Sequence, residues 1–165
     1  MKNSISDNQN IAIRKGNLND LEAMQQIFRD TIEAICKKDY NAEQRKAWQS
    51  GVENEERWMN VIRDQYVLIA ECEHQIAGFC TLDHSHYIDL LFVHKDYQQK
   101  GIASILYDEI EKEALLHHSE QLTAEVSKTA RPFFEKVGFH VIQEQTVNIK
   151  GIALTNYKMA KDLIS

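Results

Sequence analysis

The most specific chemistry in this chain lies in Leu91-Phe92-Val93-His94-Lys95-Asp96-Tyr97-Gln98-Gln99-Lys100-Gly101-Ile102-Ala103-Ser104. An apolar, β-type run enters a polar loop with one glycine and then an apolar repeat of helical spacing. That order aims free backbone N–H groups and the positive end of a helix at one point, which binds phosphate or another anion. Gly101 lets the backbone approach the anion, Ala103 and Ser104 keep the first turn uncrowded, and Lys100 adds a positive charge. A helix start without a ligand would read the same way. The glycines, at 16, 51, 78, 101, 138 and 151, give neither G-x-G-x-x-G nor Gly-Lys-Ser/Thr, so dinucleotide and P-loop readings fall.

A second candidate is Asp89, a lone carboxylate in the apolar run Tyr87 to Val93. Period-two alternation puts it on the same face as Tyr87, Leu91 and Val93. A carboxylate there is either paired with a cation or turned into a cleft, where it could act as a general base. His84 and His86, with Asp83, form a weak metal signature without a third and fourth ligand elsewhere, so no metal is expected. Cys36, Cys72 and Cys80 form no C-x-x-C pair and lack a recognisable base partner; buried thiols in a reducing compartment fit best.

The elements that must position these residues follow from length and periodicity. The 165 residues suit one domain burying roughly 70% of its unfolded surface, with residues 1–10 a polar tail. The 43% hydrophobic and 27% charged content excludes long disorder, and the net charge of −6 disfavours a generic grip on nucleic acid or an anionic membrane. No signal peptide or 18-residue apolar run is visible, so a cytoplasmic location is expected.

Ile11 to Arg14 reads as a strand. Asn17 can cap a helix whose stripe is Leu21, Met24, Ile27, Phe28, Ile32 and Ile35. Asn41 to Asp64 reads as two short helices broken near Gly51. Tyr66 to Ala70, Gln75 to Leu82 and Tyr87 to Val93 form an antiparallel meander. A helix from Gly101 to about His117, with Ile102, Ile105, Leu106, Ile110 and Ala114 inward, leads to a strand at Gln121 to Val126, which makes a parallel crossover. Ala130 to Val137 reads as a short helix with Pro132 in its first turn, stopped by Gly138-Phe139. A hairpin, Phe139 to Val147 and Ile152 to Met159, closes the chain. The fold class is α/β, a mixed central sheet of about seven strands with helices on both faces.

Gln98-x-x-Gly101-x-Ala103 matches the Q/R-x-x-G-x-G/A signature of the GNAT superfamily of N-acetyltransferases, and Ala130-Arg131-Pro132-Phe133-Phe134-Glu135-Lys136-Val137-Gly138-Phe139 resembles its later helix motif. The resemblance spans about residues 11 to 160. It implies acetyl-CoA as co-substrate, with Leu91, Phe92 and Val93 pairing with the pantetheine arm between splayed fourth and fifth strands. Gln98, Gln99, Lys100, Gly101, Ile102, Ala103 and Ser104 would cradle the pyrophosphate, with Lys100, Lys128, Arg131 and Lys136 as candidate phosphate partners. Ser127, Ala130, Phe133 and Phe134 would flank the thioester end.

The same resemblance implies direct attack by an amine of a small molecule or peptide, with Asp89 as base. It also implies an acceptor side near Tyr40, Trp48, His84 and His86, although Tyr40 and Trp48 suit core packing equally. The subgroup it points to has mostly unassigned acceptors, and its members often dimerise, so a homodimer is an expectation. Phe134 departs from the family: many members have a tyrosine there that protonates the leaving thiolate. The alternative reading is therefore a GNAT-fold protein that binds acyl-CoA without transfer.

Overall fold

The computed structural model describes residues 10–164; most of the expected polar tail, residues 1–9, lies outside them. Strand β1 (Ile11–Lys15) is followed by a single 3-10 turn at Leu18–Asp20 and helix α1 (Leu21–Ile35). Asn17 accepts from Asn19 N–H and Asp20 from Asn17 N–H, a reciprocal cap that serves the turn rather than α1 itself. Helices α2 (Ala42–Gln49) and α3 (Glu55–Asp64) come next, separated around Gly51 by a 3-10 turn. Then follow β2 (Tyr66–Cys72), β3 (Gln75–Asp83), β4 (Tyr87–Val93), α4 (Ile102–Leu116), β5 (Gln121–Ser127), α5 (Arg131–Lys136), β6 (His140–Ile149) and β7 (Ile152–Asp162).

The seven strands form one sheet in the order β1-β2-β3-β4-β5-β7-β6. All neighbours are antiparallel except β4 and β5, whose parallel ladder consists of Tyr87–Thr123 and Ile88–Ala124. Beyond that pair β4 and β5 diverge, and the sheet is open along Asp89 to Val93.

Two cores hold the helices to opposite faces. On one face Ile102, Leu106, Ile110 and Ala114 of α4 and Phe134 of α5 pack on Leu68, Cys80, Ile88, Leu122 and Val126. On the other, Met24, Ile27, Phe28 and Ile32 of α1 and Trp58 and Val61 of α3 cover Val67, Ile69, Phe79 and Leu90. Each such side chain contributes roughly 2 kcal/mol on burial. Most of the expected apolar stripe residues are buried, but Leu21 and Ile35 on α1 are half-buried, and Tyr107 rather than Ile105 completes the α4 face. Gly138, at φ +108°, ends α5 as expected: Phe139 N–H reaches Phe134 C=O and Gly138 N–H reaches Glu135 C=O.

Ile88 belongs to the α4 core and Leu90 to the α1 core, although two residues apart in a strand should share a face. The cause is a β-bulge. Thr81 pairs with Leu90 and its neighbour Leu82 with Ile88, so Asp89 is the extra residue on β4. The expectation that Asp89 shares a face with Leu91 and Val93 is corrected here: the bulge turns Asp89 toward α3, while Leu91 and Val93 pack against the α4 core.

Candidate functional site

A cavity of about 570 Å³ runs through the opening between β4 and β5. At one end it is bounded by Gln98 and Ala103 beside α4 and by Ala130, Phe133 and Phe134 at α5; at the other by Tyr40, Trp48, Val147, Ile149 and Leu154. The first group belongs to the α4 side of the sheet, the second to the α1–α3 side. The cavity therefore connects both faces.

The backbone of β4 is prepared for a ligand. Phe92 pairs with Phe79 of β3, and His94 N–H donates to Ala77 C=O, so by alternation Leu91 and Val93 turn their polar groups into the gap. Val93 C=O is already taken, accepting from Thr31 Oγ1 at 3.0 Å and Gln98 Nε2 at 2.7 Å. Gln98 thus ties the strand end to the loop, and Thr31, buried on α1, holds it from the other face. By the same alternation Leu91 N–H and C=O and Val93 N–H point into the gap.

The loop then delivers the helix start. His94 Nδ1 accepts from Asp96 N–H in a 3-10 turn (Lys95–Tyr97), and Gln99 and Gly101 take left-handed conformations, φ +60° and +82°. Gly101 caps α4 without any side-chain hydrogen bond. A Cβ built there would meet no atom of the described residues within 4 Å beyond its chain neighbours, so the backbone at Gly101 is open to close approach. The N–H groups of the first turn, Ile102 to Ser104, have no partner four residues back by helix geometry. These features fit an anionic group, diphosphate included.

The sequence-predicted residues do not all gather at one place. Leu91, Phe92, Val93, Gln98, Ala103, Ser127, Ala130, Phe133, Phe134, Asp89, Tyr40 and Trp48 line the cavity, while Gln99, Lys100, Gly101, Ile102 and Ser104 surround the helix opening beside it. His84 and His86 are outside the lining, in the β3–β4 turn, with the His84 ring beside the Asp83 carboxylate at 2.9 Å. Ser127 Oγ accepts from Ala130 N–H and so holds the start of α5. Arg131 is held by Glu135 and lies over the Tyr157 ring, 4.6 Å from its centroid. The three thiols are buried, and burial pushes those of Cys36 and Cys80 up, away from the thiolate a nucleophile needs.

Asp89 is committed. Arg57 Nη1 and Nη2 donate to its two oxygens at 2.7 and 2.9 Å, and Gln65 Nε2 donates a third bond at 2.8 Å. Tyr40 is a buried strut as well as a wall: its hydroxyl donates to Thr155 C=O at 2.6 Å and accepts from Lys128 N–H at 2.9 Å. Burial pushes that hydroxyl up to about 12, so it stays protonated.

Sequence reasoning missed four groups at the site: Thr31, Arg57, Glu125 and Asn156. Leu122, Ala124 and Val126 face the α4 core, so Glu125 and Ser127 face the α1–α3 side, and Glu125 lines the cavity. Asn156, opposite Ser127 on β7, also lines it; its Oδ1 is buried and accepts no hydrogen bond from the described residues. The hydroxyl of Tyr87 is pushed up to about 12, first by burial and then by the nearby charges of Glu125 and Asp89. No alternating-strand pattern separates such residues from ordinary surface polar positions.

Residues 36–161 match the family model described as an acetyltransferase (GNAT) domain. A curated Escherichia coli (strain K12) relative, the uncharacterized N-acetyltransferase YafP, is 33% identical over 150 residues, covering 91% of this chain and 95% of the relative. Among solved structures, a GCN5-related N-acetyltransferase from Rhodopseudomonas palustris superposes with a TM-score of 0.88 at 34% identity, covering 92% of this chain and 95% of its own. The PaiA N-acetyltransferase of Thermoplasma acidophilum, solved in complex with coenzyme A, gives 0.75 at 22% identity over 92% and 98%.

Proposed function

This chain belongs to the GNAT superfamily of N-acetyltransferases, and from that membership we propose that it transfers the acetyl group of acetyl-CoA to a primary amine, with both bound together in the through-sheet cavity. One observation carries the reading. The β4–β5 ladder stops after Ile88–Ala124, so Leu91 and Val93 turn polar backbone groups into the gap, beside a helix opening where a Cβ on Gly101 would meet no atom of the described residues within 4 Å beyond its chain neighbours. An extended amide-bearing arm fits the first feature and a diphosphate the second; the coenzyme A bound by the Thermoplasma relative has both.

Acetyl-CoA supplies an acetyl group activated as a thioester. The N–H groups from Gln98 to Ser104 hold the diphosphate, and Leu91 and Val93 hold the arm as an added strand would. A gap-facing N–H of β4 polarises the thioester carbonyl, and Ser127, Ala130, Phe133 and Phe134 enclose the sulfur end. The acceptor enters from the α1–α3 side and its nitrogen bonds directly to the acetyl carbon.

An alkyl ammonium of pKa about 10.4 costs roughly 4–5 kcal/mol to deprotonate at pH 7, whereas a thiol of pKa about 8.5 leaves as thiolate for roughly 2 kcal/mol. Phe134 has no proton to give, but that is the smaller of the two demands. Removing a proton from the amine is the larger.

Thermal melting with acetyl-CoA, and CoA release followed with a thiol reagent over an amine panel, test the proposal. Saturation at 100 times the dissociation constant adds about 2.7 kcal/mol. Absence of both stabilisation and release would overturn the reading, and stabilisation without release by any amine would replace it with an acyl-CoA binder.

A further inference from the structure

Resting on the proposed function, the structure assigns a substrate class and a base: we propose that the acceptor is a monocationic primary amine on an apolar, ring-sized body, and that Glu125 receives its proton. Among the described residues lining the cavity, those with formal charge at pH 7 are Arg57, Asp89 and Glu125. Arg57 and Asp89 neutralise each other through a two-point contact, with Gln65 on the same carboxylate. Glu125 has no ion pair with Lys158, its cross-strand neighbour, or with any other described residue. Among the described lining residues the cavity thus presents one carboxylate outside any ion pair, suited to one ammonium.

Its position agrees with that use. The parallel register Tyr87–Thr123 and Ile88–Ala124 sets Glu125 at the level where β4 and β5 part, on the face away from α4. The buried Asn156 Oδ1, on the residue opposite Ser127, accepts no hydrogen bond from the described residues and is ready for an ammonium or amine N–H.

An apolar wall flanks this carboxylate: Trp48, Val147, Ile149 and Leu154, with the Tyr40 ring edge-on to Trp48 at 5.3 Å. A polyamine would press further ammonium groups against these side chains without a counter-charge, and among the described lining residues an amino acid would find only Arg57, already held by Asp89, for its carboxylate. The step balances without another reactant. The ammonium gives one proton to Glu125, the N–C bond forms as the C–S bond breaks, the second nitrogen proton neutralises the thiolate, and Glu125 returns its proton to water.

The experiment compares phenethylamine and tryptamine with spermidine and glycine in the CoA-release assay, for the unaltered chain and for Glu125→Gln, with acetyl-CoA-dependent melting run in parallel. Glu125 is exposed, so the substitution leaves the fold intact. The ring-bearing amines are expected to give kcat/KM at least tenfold above spermidine and glycine. Glu125→Gln is expected to lower kcat/KM about 100-fold for phenethylamine and to move its pH profile alkaline. An aniline, already neutral at pH 7, should lose less than threefold, a split that a merely structural role would not produce. Spermidine or glycine preferred, or Glu125→Gln equal to the unaltered chain, overturns this inference while melting still reports acetyl-CoA; loss of acetyl-CoA stabilisation in the unaltered chain overturns the function beneath it.

Discussion

Arg57 on α3 grips Asp89 on β4 through two parallel hydrogen bonds of 2.7 and 2.9 Å, which places the one carboxylate at the β4 bulge in a fork rather than in the cavity's free space. The pair joins α3 to the strand whose far end opens toward α4, so it bears on both stability and site geometry. Arg57→Ala leaves Asp89 with Gln65 Nε2 as its remaining partner while its side chain is 12% exposed. Breaking a buried pair costs about 3–5 kcal/mol, but Arg57 is 41% exposed and screened by water, which reduces the expected loss to about 1–2 kcal/mol. Urea unfolding measures it, and Arg57→Ala combined with Asp89→Asn should recover part of the loss. A double variant less stable than either single one would contradict the pairing.

Gly101 offers a test of the anion site that separates charge from backbone strain. Its φ of +82° penalises any side chain, and asparagine tolerates that region better than most residues. Gly101→Asn and Gly101→Asp share shape and strain and differ by one negative charge. A like charge about 5 Å from a phosphate costs roughly 3 kcal/mol at an effective permittivity of 20. Acetyl-CoA should therefore bind Gly101→Asp about 100-fold more weakly than Gly101→Asn by calorimetry. Equal affinities would remove the diphosphate from this helix opening.

The Tyr40 hydroxyl bridges Thr155 of β7 and Lys128 at the end of β5 from a segment between α1 and α2. Tyr40→Phe keeps the ring against Trp48 and leaves a buried N–H and C=O unsatisfied, for about 2 kcal/mol. Because this strut sets the distance between the acceptor wall and β5, KM for the amine should rise more than KM for acetyl-CoA. Steady-state kinetics with each substrate varied in turn provides the measurement; equal rises would make the strut a general stabiliser.

Asp20 and Arg14 give the acid dependence of stability. Two bonds of 2.8 Å from Arg14, with a further one from Asn17 N–H, hold the Asp20 carboxyl below its ordinary value of 3.8. The unfolded chain therefore binds this proton more tightly than the folded one. The contribution is complete above about pH 5 and is lost as pH falls through 3.8 and below. Asp20→Asn should be about 1–2 kcal/mol less stable at pH 7, and the two curves should converge in urea titrations as the pH falls below the lowered folded-state value. Parallel curves would remove Asp20 from the acid transition.

Much of the architecture and half of the site were legible because they depend on local spacing. The stripe Met24, Ile27, Phe28 and Ile32, the run Tyr87 to Val93 and the stop at Gly138-Phe139 are fixed by residues within a turn or two of one another, and Gln98-x-x-Gly101-x-Ala103 marks the helix opening without any distant partner. The acceptor end was not legible, because it is assembled from the segment around Tyr40, α2, β5, β6 and β7, and no local pattern shows that Glu125 and Asn156 will share a cavity with Trp48.

Alone, the sequence determined the mixed sheet, its two helical layers and the anion-ready turn before α4, because hydrophobic period and glycine placement act along the chain. Tertiary structure decided which carboxylate stays unengaged. One extra residue in β4 opposite Thr81 and Leu82 turns Asp89 to Arg57 and Gln65, 32 and 24 residues away in the chain, and leaves Glu125 facing the cavity. Register and long-range pairing exist only once the sheet has formed.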